Sequence, residues 1–134
     1  MANTTFSGPV RSENGFEQVT KNATTGAFTT SATYGASITG GVQSLSGAGA
    51  VDLTNLITEV TTTGADALTL ADGTTSGQVK IVNMIVDGGD GTLTPVTFAN
   101  GTTITFDAVA ESVTLVWNST IGWVATSVNG ATVA

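Results

Sequence analysis

More than a third of this chain is branched at Cβ: of 134 residues, 27 are Thr, 15 are Val and 6 are Ile. A β-branched side chain loses χ1 freedom in a helix and packs well on a pleated surface, so this composition pushes the chain towards strands. The 17 Gly provide turn positions, and the 2 Pro interrupt few hydrogen-bond ladders. The fold class that follows is all-β: a compact antiparallel β-sandwich or β-barrel domain preceded by an extended N-terminal arm.

The remaining composition narrows function. There is no Cys and no His, so a disulfide framework, a thiolate zinc site and the commonest general base are all excluded. Three Lys or Arg face ten Asp or Glu, a net charge of −7. That balance speaks against nucleic acid as a partner, because a phosphate backbone is met by a cationic stripe. No apolar run approaches the ~20 residues of a membrane helix, so no membrane partner is expected. The start, Met1-Ala2-Asn3-Thr4-Thr5, has neither the basic nor the apolar region of a secretory signal. The Asn-x-Thr triplets at Asn3, Asn22, Asn100 and Asn118 then read as chance in a Thr-rich chain.

Apolar residues and charge are distributed unevenly. Val, Ile, Leu and Phe supply 8 of residues 1–50 and 25 of residues 51–134. The first region falls below the ~20% of these residues at which a chain struggles to order itself alone. Residues 1–50 are neutral, with Arg11 and Lys21 against Glu13 and Glu17, whereas residues 51–134 set Lys80 against eight acids. The expected division is an extended arm and linker over 1–50 and a compact β-domain over 51–134. The segment SATYGASITGGVQSLSGAGA at 31–50 has linker composition, yet it is uncharged and carries Tyr34, Ile38, Val42 and Leu45. An arm packed on a partner fits it better than a free linker.

Several strands are legible. Val113, Leu115 and Trp117 alternate along one face, and a turn over 118–122 leads to a second β-rich run from Trp123, which predicts a hairpin. Asn100-Gly101 predicts another between 95–99 and 102–106, because a type I′ turn needs positive φ at both central residues. Residues 78–86 are apolar on both faces and predict a central, covered strand. Leu53, Leu56, Ile57 and Val60 have helical spacing with Asp52 as a possible cap, but the Thr content of that window favours a strand.

No motif for catalysis stands out. Asp87 and Asp90 in Asp-Gly-Gly-Asp-Gly offer either hard oxygen ligands for Ca²⁺ or, the favoured reading, a tight turn. Ser76 and Lys80 are four apart, one too many for a Ser-x-x-Lys dyad. No cofactor and no enzyme activity are expected. Thr92-Leu93-Thr94 and Thr103-Ile104-Thr105 resemble water-ordering arrays but recur at no fixed period, and a solenoid would show one. Trp117 and Trp123 read as a core anchor or subunit contact, alternatively a ligand platform. Phe6-Ser7-Gly8-Pro9-Val10-Arg11 reads as an extended peptide with apolar anchors and one cation, able to dock on another chain's sheet edge.

The start, MANTTFSGPVRSENGFEQVTKNATTG, resembles the N-terminus of small virion proteins of tailed phages, especially those of marine and cyanobacterial hosts. The later stretch, from LTLADGTTSGQVKIVNMIVDGGDG to WVATSVNG, resembles a β-module of phage head decoration and fibre proteins. The resemblance implies a capsid decoration, or cement, protein on the outer capsid surface of the virion. It implies a homotrimer whose partner is the major capsid protein, with a head-fibre or tail-fibre component as the alternative. Phe6, Pro9, Val10, Arg11 and Phe16 are then the expected capsid-binding arm, and Tyr34, Trp117 and Trp123 the expected subunit contact.

Overall fold

The computed structural model describes residues 16–34 and 41–134, the two strands of the first stretch by their backbone alone. It contains no helix among the described residues. The chain divides into two compact units, Met1–Thr39 and Gly40–Ala134.

In the first unit, strands β1 (Phe16–Lys21) and β2 (Phe28–Tyr34) form an antiparallel hairpin. Its turn is closed by Asn22, whose Oδ1 accepts from the N–H groups of Thr24 and Thr25, and by Gly26 at φ 73°. The described part of the expected extended arm is therefore paired. Phe16 and Tyr34 are register partners at the open end of this hairpin. Phe6, Pro9, Val10 and Arg11 lie outside the described residues.

The second unit is a two-layer sandwich. Its strands are β3 (Val42–Ser46), β4 (Gly49–Val51), β5 (Ile57–Thr61), β6 (Asp66–Leu70), β7 (Val79–Val86), β8 (Gly91–Pro95), β9 (Ile104–Phe106), β10 (Ser112–Asn118), β11 (Gly122–Asn129) and β12 (Thr132–Val133). One sheet has the order β11-β10-β7-β5-β3 and the other β12-β9-β8-β6-β4. The compact unit thus begins about ten residues before the boundary expected at 50/51. The low large-apolar content of 42–51 hid two edge strands, each of which gives one large apolar side chain to the core: Leu45 packs on it and Val51 is within it.

Of the expected sandwich or barrel the fold is the sandwich, and its sheets are mixed rather than antiparallel throughout. From β3 to β8 the chain changes layer at every turn, so β3, β5 and β7 pair in parallel, as do β4, β6 and β8. This part is three stacked coils, each giving one strand to each sheet. The coils begin at Val42, Ile57 and Val79, which gives unequal lengths and explains why no period is visible in the sequence. Antiparallel strands β9 to β12 complete both sheets. A one-sided alternation of apolar and polar residues serves either strand direction, so pattern alone did not separate them.

Stacking of equivalent positions builds the core. Leu45, Val60 and Met84 align across one sheet, and Leu68, Leu93 and Ile104 across the other. Phe106, Val82, Val113, Leu115, Trp117 and Trp123 fill the space between the layers. Each fully buried Leu, Ile or Phe side chain contributes about 1.5–3 kcal/mol relative to exposure, so this stack is the principal stabilising term.

The predicted β10–β11 hairpin is present, with Trp117 opposite Trp123 and Asn118 opposite Gly122. Strand β7 is central, as expected, but only one of its faces is buried: Ile85 and Val86 are exposed. The window 53–60 resolves into strand β5 preceded by a loop, in which Asp52 caps the N–H groups of Thr54 and Asn55 without starting a helix. The Asn100-Gly101 hairpin does not form as predicted. Neither residue has positive φ. The Asn100 Oδ1 instead accepts from the N–H of Ala125 at 2.8 Å, and the preceding residues pair with Trp123, whose N–H donates to the Thr97 carbonyl at 2.9 Å. Tertiary hydrogen bonds to β11 thus outweigh the local turn preference.

Candidate functional site

The densest polar cluster of the sandwich surrounds Lys80. In β7 it has the same parity as Val82 and Met84, so its side chain points between the sheets and is 1% exposed. Its Nζ donates to the carbonyl of Asn55 at 2.8 Å and lies 3.8 Å from Asp52 Oδ1. The Asp52 carboxylate also accepts from Thr54 N, Asn55 N and the Asn55 side-chain amide, at 2.9, 2.8 and 2.6 Å. Nearby, Gln43 Oε1 accepts from Asp52 N and from the Thr58 hydroxyl, and Gln43 Nε2 donates to the Ala50 carbonyl. Gln78 Nε2 donates to the Leu53 carbonyl. Among the described residues no buried side-chain nitrogen or oxygen is left without a partner.

Burial pushes the Lys80 ammonium below the usual lysine range, and the Asp52 charge opposes that only in part. Desolvation pushes the Asp52 carboxyl up, but the Asn55 backbone N–H and side-chain amide, the Lys80 charge and the Thr54 N–H together hold it below its ordinary value. An amine of lowered basicity beside a carboxylate has the makings of a nucleophile. Here, however, the amine is sealed between the sheets, and the cluster ties the loop 52–55 to β3 and β7. Its chemistry is that of a structural clasp.

Trp117 and Trp123 pack on each other, with ring centroids 5.4 Å apart and planes inclined at 59°. Trp123 Nε1 donates to the Ala71 carbonyl at 2.9 Å. They are 7% and 0% exposed, so they anchor the core. Of the two expected readings the core anchor is the one their burial fits, because both rings are spent inside the domain and leave little surface for a subunit contact. Tyr34 ends β2, and the described structure gives only its backbone. Gly73 lies against the Trp117 ring, where an added Cβ would stand 2.3 Å from Cγ.

Asp87 and Asp90 occupy the β7–β8 turn. Asp87 Oδ1 accepts from Gly89 N at 2.9 Å, and the Asp90 carbonyl accepts from Asp66 N at 2.9 Å. Gly88 is pressed against Thr62, where a Cβ would meet the Thr62 carbonyl oxygen at 2.4 Å. Turn geometry and close approach account for the glycines. Among the described residues no three carboxylates converge as a metal site, and no pocket is present. Ser76 and Ser119 bond to each other at 3.0 Å, away from the inward-facing Lys80.

The clasp was missed in the sequence, although a signal for it was there. A lone Lys in a strand read as covered on both faces is buried whichever way it points, and a buried ammonium needs partners. No protein-family model matches this chain, and no curated protein matches it.

Proposed function

We propose that this chain is a structural virion protein of the capsid decoration, or cement, kind, which binds the outer surface of a major capsid protein shell and stabilises it. The observation that carries the reading is the separation of charge between its two units. The unit Met1–Thr39 is neutral, with Arg11 and Lys21 offsetting Glu13 and Glu17. The sandwich holds Lys80, buried, against eight acids. A neutral segment suits an interface, where unpaired charge is costly, and an acidic body suits the solvent side of a particle. The likeness of both sequence stretches to tailed-phage virion proteins points the same way.

In this reading the N-terminal segment carrying Phe6, Pro9, Val10, Arg11 and Phe16 lies on the shell, and copies of the chain form a homotrimer. A ligand that binds only the assembled shell stabilises it by mass action, which needs no catalytic group. The fibre alternative draws on the three stacked coils, since a stack of coils lengthens by addition. Here the antiparallel strands β9 to β12 follow after the third coil, which favours the decoration reading.

Co-sedimentation with purified tailed-phage capsids of the cognate major capsid protein tests the proposal. The full chain is expected to pellet with capsids, and a chain lacking residues 1–20 to stay in the supernatant with the tryptophan emission of a folded sandwich. Equal pelleting of both would refute the arm's role, and failure of the full chain to pellet would refute the function.

A further inference from the structure

The Asp52 carboxylate faces two side-chain nitrogens at once. Its Oδ1 lies 3.8 Å from Lys80 Nζ, and its Oδ2 accepts from the side-chain amide of Asn55 at 2.6 Å. The amine meets Asn55 from another side as well, since Nζ donates to the Asn55 main-chain carbonyl at 2.8 Å. The fold fixes this meeting. Strands β5 and β7 pair in parallel with Ile57 opposite Ile81, and just ahead of that pair Ile81 N donates to the Leu56 carbonyl at 2.9 Å. Asn55 is therefore held beside Lys80, although 25 residues separate them along the chain. Gly41 leaves room for the amide, because a Cβ there would overlap Asn55 Oδ1.

An ion pair alone does not ask for this arrangement. Oδ1 already serves the ammonium and the loop N–H groups of Thr54 and Asn55, yet Oδ2 is given to a carboxamide nitrogen. An amine, a carboxamide and a carboxylate that faces both nitrogens are what an amide exchange requires: a nucleophile, an electrophile and a base that can hand the proton to the leaving group. Sealing between the sheets keeps outside substrates from the amine, but the electrophile here is part of the chain.

We propose that Lys80 and Asn55 are the sites of a self-made crosslink, an isopeptide bond between Nζ and Cγ with Asp52 as its proton carrier. Asp52 takes a proton from the ammonium, and the freed lone pair on Nζ bonds to Cγ. The carboxyl passes that proton to Nδ2, the Cγ–Nδ2 bond breaks as the carbonyl re-forms, and the surplus proton on Nζ follows. One ammonium ion leaves, one amide replaces another, and Asp52 ends ionised as it began. No oxidant or cofactor enters. The product suits its surroundings, because a neutral amide replaces a charge held between the sheets. It also ties the loop ahead of β5 to β7, across one full coil of the stack. The Asp52 carboxyl is held below its ordinary value and accepts the ammonium proton reluctantly, so the bond forms slowly. The freshly folded chain carries the ion pair, which alone sets its stability, and the crosslink accumulates on standing. It stands independently of any virion role.

Mass spectrometry of the full chain tests this, fresh and after incubation at mildly alkaline pH, where more of the amine is neutral. The aged chain is expected to be lighter by the mass of one ammonia. Trypsin then locates the bond. The basic residues are Arg11, Lys21 and Lys80, so the unlinked chain, once unfolded, yields fragments 22–80 and 81–134. An acylated Lys80 has lost the charge that trypsin's specificity pocket reads, so the linked chain keeps 22–134 in one piece. Lys80→Met and Asn55→Ala are expected to keep their full mass, and Asp52→Asn to slow conversion by about a hundredfold, the scale of positioned proton transfer. A wild-type chain that keeps its full mass overturns the proposal. So does loss of ammonia with Lys80 still open to trypsin, the mark of a backbone succinimide at an asparagine, or loss that persists in Lys80→Met or Asn55→Ala. Conversion of Asp52→Asn at the wild-type rate overturns the part given to the carboxylate. The wild-type mass and digest decide the bond even where a variant fails to fold.

Discussion

Asp52 and Lys80 are expected to respond very differently to removal. Replacing Asp52 by Ala leaves the Lys80 ammonium, 1% exposed, with only the Asn55 carbonyl at 2.8 Å. It also strips acceptors from Thr54 N, Asn55 N and the Asn55 amide. Breaking a buried pair by removing one partner costs about 3–5 kcal/mol. The carboxylate is 31% exposed and 3.8 Å from Nζ, so solvent screens part of the attraction. The loop amides can also rehydrate, so the lower end, about 3 kcal/mol, is expected. Lys80→Met keeps the aliphatic stem, abolishes the desolvated charge and gives up one hydrogen bond, for a net change within about 1 kcal/mol. The double variant should be more stable than Asp52→Ala alone by about 2 kcal/mol. Urea unfolding followed by tryptophan emission reads the sandwich selectively, because both Trp residues lie in it. For a domain of this size each kcal/mol corresponds to about 4–8 °C in Tm. A Lys80→Met variant as destabilised as Asp52→Ala, or strictly additive effects, would refute the clasp.

Gly73→Ala should destabilise by about 1–3 kcal/mol and change the near-ultraviolet circular dichroism, because the new methyl meets a Trp117 ring held by Trp123; wild-type stability would show that the ring has room to move. Acid should act through Asp52. Its folded pKa lies below the ordinary 3.8, so its contribution is present above 3.8 and is lost as pH falls through the folded value. Lys80 has the opposite sense: its folded pKa lies below 10.5, so its burial penalty is relieved as pH rises through the folded value towards 10.5. Urea midpoints measured across pH for wild type, Asp52→Asn and Lys80→Met check both signs, and a variant with the wild-type slope in its window would contradict the assignment.

Much of the architecture could be read from local pattern. Val113, Leu115 and Trp117 alternate because one face of β10 is core, and that alternation located the β10–β11 hairpin correctly. Strand direction could not be read that way. The coils β3 to β8 owe their parallel pairing to where the chain changes layer, and the unequal spacing of Val42, Ile57 and Val79 leaves no period. Asn100-Gly101 misled because a hydrogen bond from Ala125, 25 residues on, captured Asn100. Val42 to Val51 looked like linker because Gly, Ser and Ala dominate it, yet short edge strands need only Leu45 and Val51 to hold them. The Lys80 clasp needed parity and charge to be read together. Its partners Asp52 and Asn55 lie on a loop whose approach to β7 is a tertiary fact.

Electron cryomicroscopy of capsids with and without the full chain reads the proposed binding to the outside of a capsid shell without an intermediate assay. Regularly spaced density is expected outside the shell, at capsomer junctions, large enough for the sandwich and continuous with a segment lying on the major capsid protein. A bare shell at saturating protein, or density confined to tail or spike appendages, would contradict it.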